Sequence, residues 1–158
     1  GARAAVLSTL NRFGVLEDAV VPGAQPSPAA LPHELASVDI EGAVDLGLKA
    51  PIFLVRELLG VFLRRGQGVL SLVCFSERRD DEPGPALDQT VQEGWQGFAA
   101  GVLDAYAEKT VFINGFKAAG VGHEDAAAFM DRSLEEKARK VTGRWFSFQP
   151  RGSILGRR

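Results

Sequence analysis

The chain has 158 residues, 46% hydrophobic and 24% charged, with a net charge of −2 and a pI near 5.7. That length suits one domain with a real core, and the near-neutral charge argues against nucleic acid as the main partner. The single cysteine, Cys74, excludes an internal disulfide and fits a reducing compartment. No apolar stretch approaches the ~20 residues needed to cross a bilayer, and no basic-then-apolar signal opens the chain. The default reading is a cytoplasmic protein. Gly1 at the start fits a processed or trimmed product.

Residues 3–13 place Ala4, Val6, Leu7, Leu10 and Phe13 on one helical face, with Gly14 as a stop. The apolar run 16–21, ended by Pro22-Gly23, predicts a buried parallel strand. Four prolines among small residues make 22–37 a loop. Residues 37–65 form the longest helical pattern, with Ile40, Ala43, Val44, Leu48, Phe53, Leu54, Leu58 and Phe62 recurring at three- and four-residue steps. Ser37 or Asp39 can cap its start, Pro51 should kink it, and Arg64-Arg65-Gly66 suits its end.

The unbroken run VLSLVCF (69–75) predicts a central strand, covered on both faces. Residues 76–86 are charged and turn-rich, and the carboxylates Glu77, Asp80, Asp81 and Glu82 beside Arg78 and Arg79 are expected to be solvated. A helix over 87–109 points Val91, Trp95, Phe98, Ala99, Val102, Leu103 and Tyr106 inward. There follow a strand over 111–113, a loop over 114–122, a helix over 124–140 and a last strand over 143–148. Such alternation indicates an α/β fold: a partial Rossmann-like three-layer sandwich on a mostly parallel sheet of about four strands. Residues 1–150 then form one domain. Residues 151–158, with Arg151, Arg157 and Arg158, form a flexible basic tail.

Several phrases carry a resemblance. FGVLEDAVV (13–21), GQGVLSLVCF (66–75), GWQGFAAGVLDAYAEKTVFINGF (94–116) and VTGRWFSF (141–148) resemble, in that order, passages of the short-chain dehydrogenase/reductase family from its fourth strand onward. The resemblance implies an N-terminally truncated member, because that family opens with three strands and a Gly-rich turn that lays the cofactor pyrophosphate on a helix N-terminus. Gly66/Gly68 and Gly120/Gly122 do not continue as such a turn requires. No cofactor is expected, and NAD(P) only if a partner supplies that turn.

The family's reaction uses asparagine, serine, tyrosine and lysine. Registering the chain by the fifth strand and by Gly97-Phe98 puts Gly47, Phe75, Asp88 and Gln92 at those positions. Ser76, one residue late, is a weak substitute for the serine. Tyr106 has no lysine four residues on and reads as core, and PGAQ (22–25) lacks the family's Asn-Asn-Ala-Gly phrase. His33 and His123, ninety residues apart, make a metal site improbable; a triad of Ser76, His123 and Asp88 lacks a nucleophile-elbow phrase. Trp95 and Trp145 read as core or interface anchors, and Cys74 as a buried hydrophobe.

In the resembled fold the fourth strand adjoins the missing first, so residues 17–21 should form an open apolar edge. The N-terminal helix, a symmetry mate or a second chain is expected to cover it. The resemblance also implies a twofold homodimer through helices 37–65 and 87–109, with Leu46, Leu59, Val61 and Leu63 available for a second face. A heteromeric partner of the same family is an alternative; nucleic acid and membrane are not expected. The functional expectation is a non-catalytic scaffold or partner-binding protein. The alternatives are an oxidoreductase subunit that needs a partner, with Asp88 moving protons, and a small-ligand binder.

Overall fold

The structure, a computed structural model, describes residues 1–23, 30–76, 78–79 and 84–148. Its elements are α1 (Ala2–Phe13), β1 (Asp18–Pro22), a 3-10 turn (Pro32–Glu34), α2 (Ser37–Val44), α3 (Ala50–Arg65), β2 (Val69–Ser76), α4 (Ala86–Ala105), β3 (Phe112–Ala119), α5 (His123–Ser133) and β4 (Arg144–Ser147). The four strands pair in parallel in the order β1-β2-β3-β4, which makes the fold the expected Rossmann-like α/β sheet with flanking helices. The tail 151–158 and the residues Ala24 and Gln25 of the PGAQ phrase lie outside the described residues.

Strand alternation divides the core in two. Leu70, Leu72, Cys74, Val111 and Ile113 pack with Val6 of α1, Val55, Leu58 and Phe62 of α3, and Trp95, Ala99 and Leu103 of α4. Val73, Phe75 and Phe116 point the other way, onto Phe129 and Met130 of α5 and Phe146 of β4. The β1–β2 and β2–β3 connections thus cross one face while the β3–β4 connection crosses the opposite face. All three advance in the same direction along the sheet, so the last crossover has the opposite hand to the others. That breaks the usual uniformity of parallel connections.

The edge strand β1 is oriented by two hydrogen bonds: Val69 N–H donates to the Glu17 carbonyl at 2.9 Å, and Gly23 N–H to the Val73 carbonyl at 2.8 Å. In a parallel ladder the intervening groups alternate, so Asp18, Val20 and Pro22 turn theirs outward. The missing N–H of Pro22 falls on that outer side and costs the ladder nothing. α1 rests on α3, and among the described residues the outward groups of Asp18 and Val20 have no backbone partner.

Several boundaries differ from expectation. The long helical pattern is interrupted by a π-helical turn, Asp45–Lys49, where Ala50 N–H donates to the Asp45 carbonyl. Pro51, at the first turn of α3, has no N–H to continue a regular ladder, and the wider turn absorbs the mismatch. A second π-helical turn, Leu134–Ala138, follows α5, and α4 stops at Ala105 instead of residue 109.

β3 runs to Ala119, through residues expected as loop. Asn114 does not turn the chain there. Its amide donates to the Ala138 and Val141 carbonyls at 2.9 and 2.8 Å and accepts from Arg144 N–H at 3.1 Å. Gly115 supports the same strand by leaving room for an indole, since a Cβ there would lie 2.3 Å from Trp145 Cε3.

In the helical stripe, Phe53 and Ile40 are exposed, and Leu59 and Val61, expected on a second face, are buried in the core. The drift introduced by the π turn rotates the stripe of α3 relative to that of α2. Leu46 and Leu63 remain exposed as expected. In α1, Val6 and Leu10 pack into the core, whereas Leu7 and Phe13 are exposed.

Candidate functional site

Open parallel sheets hold ligands beyond the carboxyl ends of their strands, and residues 73–76 of β2 lead there. Ser76 is the last residue of β2, and its Oγ accepts the Arg78 N–H at 3.2 Å. Arg78 then reaches the start of α4, where its guanidinium meets the Asp88 carboxylate at 3.5 Å. The Asp88 side chain is only 6% exposed; a carboxylate that far from water requires a cation or hydrogen bonds to remain charged. The stretch after β2 was expected to be solvated; of its described residues, Arg78 instead pairs with Asp88. Arg78 closes on Gly84 and Asp88, and Arg79 packs over Gly120. Glu77, Asp80, Asp81 and Glu82 lie outside the described residues.

Phe75, at the serine position of the family register, packs its ring 4.5 Å from that of His123, the first residue of α5. Gly47 is buried in the π turn, where a Cβ would come within 2.2 Å of Val91 Cγ1. The backbone of that turn thus presses onto α4 between Asp88 and the half-buried Gln92. The neighbouring pair repeats the fit in reverse, with Leu48 over Gly94. Gly47 packs on Val91, which lies between Asp88 and Gln92 along α4, and Ser76 joins Asp88 through Arg78. Ser76, Asp88 and His123 all stand near this end of the sheet, the first two tied to Arg78 and the third to Phe75.

Trp95, one turn along α4 from Val91, closes the β1 side of the same end. Its Nε1 donates to the Val73 carbonyl at 2.9 Å, the carbonyl that also accepts Gly23 N–H. The indole lies against Gly23, where a Cβ would be 2.4 Å from Trp95 Cδ1, and stacks with Phe98 at 5.7 Å. This arrangement, a carbonyl at the end of β2 serving two donors, has no sequence signal, because it depends on α4 and β1 meeting across 70 residues.

Tyr106 stands at the end of α4, partly buried against the core. His33 is exposed in the 3-10 turn, and among the described residues no group of three His, Cys, Asp or Glu could hold a metal. Burial pushes the Cys74 thiol up to about 11 from 9.0, with Lys117 acting weakly the other way. The thiolate that reactivity requires is thereby disfavoured. No helix among the described residues is long and apolar enough to cross a membrane.

No family model and no curated protein matches the sequence. Solved structures do. A halohydrin dehalogenase bound to ethyl (2S)-oxiran-2-ylacetate superposes with a TM-score of 0.76 at 10% identity, over 93% of this chain and 72% of that one. A short chain dehydrogenase from Bacillus anthracis str. 'Ames Ancestor' gives 0.74 at 9% identity, over 94% and 70%. A 4-hydroxyisoleucine dehydrogenase complexed with NADH and succinate gives 0.72 at 15% identity, over 93% and 73%. Sequence identity this low shows the fold alone, and on that ground the chain has the fold of the short-chain dehydrogenases and reductases, over somewhat more than two thirds of their length.

Proposed function

We propose that the chain is a non-catalytic protein of this fold that acts as a scaffold or partner-binding module. One observation supports the reading above others: the positions in register with the family's catalytic set hold Gly47, Phe75, Asp88 and Gln92, and the first three are engaged in packing or pairing. Gly47 abuts Val91, Phe75 abuts His123, and Asp88 meets Arg78. None of these side-chain types combines the phenol and ammonium that this chemistry needs for proton transfer. The reading places the protein in the cytoplasm and gives it no cofactor of its own.

The proposed assembly is a twofold homodimer through α2–α3 and α4. Val38, Leu46 and Phe53 are 72%, 70% and 53% exposed on those helices, a concentration of large apolar groups that an interface would remove from water. Light scattering at micromolar concentration should give a dimer, and a Leu46→Glu, Phe53→Glu double variant should give a monomer. For the cofactor, thermal shift with NAD and NADP should give no stabilisation. A bound dinucleotide at ~100 times its dissociation constant would add about 2.7 kcal/mol and would overturn the non-catalytic reading.

A second reading is kept on one specific observation, the gathering of Ser76, Arg78 and Asp88 at the carboxyl end of β2. There the chain is one part of an oxidoreductase whose Gly-rich turn comes from a partner. Co-purification of a chain carrying that turn, with dinucleotide binding by the pair only, distinguishes it.

A further inference from the structure

The four strands are parallel, so the residues that lead into β1, β2, β3 and β4 gather at one pole, opposite the strand ends described above. That pole is basic. Residues 12–17, 63–68, 106–111 and 137–144 hold eight of the chain's 18 Lys and Arg but two of its 20 Asp and Glu. A chain of net charge −2 is thereby divided into a positive pole and a negative remainder.

Helix ends account for part of this. Arg12, Arg64 and Arg65 stand in the last turns of α1 and α3, where cations offset the helix dipole. Lys109 and Arg144 lie outside the helices, and no dipole places them there. The same connections expose apolar side chains: Phe13 is 64% exposed, and Val15, Leu63 and Val141 are exposed with it. Arg12 holds its guanidinium 5.2 Å from the Phe13 ring centroid. Arg65 donates to the Leu16 carbonyl, which joins the end of α3 to the α1–β1 connection.

Exposed apolar groups set among cations suit an anionic lipid surface, where headgroups take the charges and the apolar side chains enter the acyl boundary. A single nucleic-acid strand would call for stacking rings, and Val15, Leu63 and Val141 are aliphatic. We propose that this pole docks on an anionic phospholipid surface, with Phe13 and Val15 entering it and Arg12, Lys109 and Lys140 at the headgroups. The proposal departs from the expectation that no membrane is involved; adsorption needs no spanning helix. It does not depend on the scaffold reading.

The test is co-sedimentation of the chain with vesicles of phosphatidylcholine, alone or with about one third phosphatidylserine. The expected result is partition at least about tenfold stronger onto the anionic vesicles, weakening as salt is raised. The Arg12→Glu, Lys109→Glu, Lys140→Glu variant should lose about tenfold or more. Phe13→Ser should weaken binding while keeping its salt dependence. Arg3→Glu, on the first turn of α1 at the far end of that helix, should bind as wild type. Thermal melting shows that each variant is folded; Lys109→Gln with Lys140→Gln replaces the triple variant if that one is not. No binding to anionic vesicles at low salt overturns the proposal, and so does equal binding to neutral ones. Equal loss from Arg3→Glu overturns the location. Binding to polyuridylate as tight as to the anionic vesicles, and unaffected by Phe13→Ser, overturns the choice of lipid.

Discussion

The two faces of the sheet differ in how they are built. On one face α1, α3 and α4 lie side by side, and the buried groups include Trp95, Phe62, Leu70 and Leu72. On the other face, α5 is the one helix among the described residues that packs over β2 and β3, and the contacts are largely ring on ring: Phe116 stacks with Phe146 at 5.2 Å and meets Phe129 edge-on at 6.3 Å. Beyond the reach of α5, Val20 of β1 is 49% exposed, while its neighbour Val21, pointing to the crowded face, is 1% exposed. Adjacent residues of similar hydrophobicity therefore carry very different shares of the stability, and the difference lies in which layer they meet.

The strongest challenge to this contrast is Trp95→Ala. It removes a fully buried indole and its hydrogen bond from the three-helix face, and should cost about 3–5 kcal/mol by urea denaturation. A cost under 1 kcal/mol would mean that the crowded face is not the main support. Asn114→Ala leaves the Ala138 and Val141 carbonyls and the Arg144 N–H without their side-chain partner. Each orphaned buried group costs ~1–3 kcal/mol where water cannot replace the partner; with partial access the expected total is about 2–3 kcal/mol.

Cys74 tests the crowded face by pH. Its thiol titrates higher in the folded chain, at about 11 against 9.0, so between those values the folded state binds more protons. Stability is then fully present below pH 9 and falls as pH rises toward 11. Wild type should lose on the order of 1–2 kcal/mol more than Cys74→Val over that interval, given roughly 1.4 kcal/mol per pKa unit and partial access of water. Parallel denaturation curves of the two proteins would contradict a buried thiol. Val20→Thr, at the uncovered edge, should change stability by less than about 0.5 kcal/mol. A larger loss in dilute solution would show that Val20 is covered in the folded protein.

Much of the fold was legible because parallel strands buried on both faces leave a strong trace. VLSLVCF could be little else, and Gly66, at φ 69°, ends α3 where the cations and glycine indicated. β3 runs past residue 113 into the expected loop, through an Asn-Gly pair that ordinarily marks a turn. In this chain the asparagine finds backbone partners across the sheet and the glycine makes room for Trp145, and both roles are tertiary. The π turns were equally hidden. Pro51 announced a disturbance, and only packing of Gly47 on Val91 decides that a widened turn absorbs it.

The candidate site was legible as a set of positions and not as contacts. Sequence registers Gly47, Phe75, Asp88 and Gln92. It cannot show that Arg78, in a run that reads as solvated, turns back onto Asp88. Nor does it show that Trp95 shares a carbonyl with Gly23, since each of those pairs brings together different elements.

The side-chain amide of Asn114 serves the end of the turn after α5 and the beginning of β4 together. Attachment of the final strand is thereby coupled to completion of the helix that precedes it, so neither piece can loosen alone. A parallel crossover of uncommon hand would otherwise be the easiest part of the molecule to peel away. One buried amide makes its release a single concerted event.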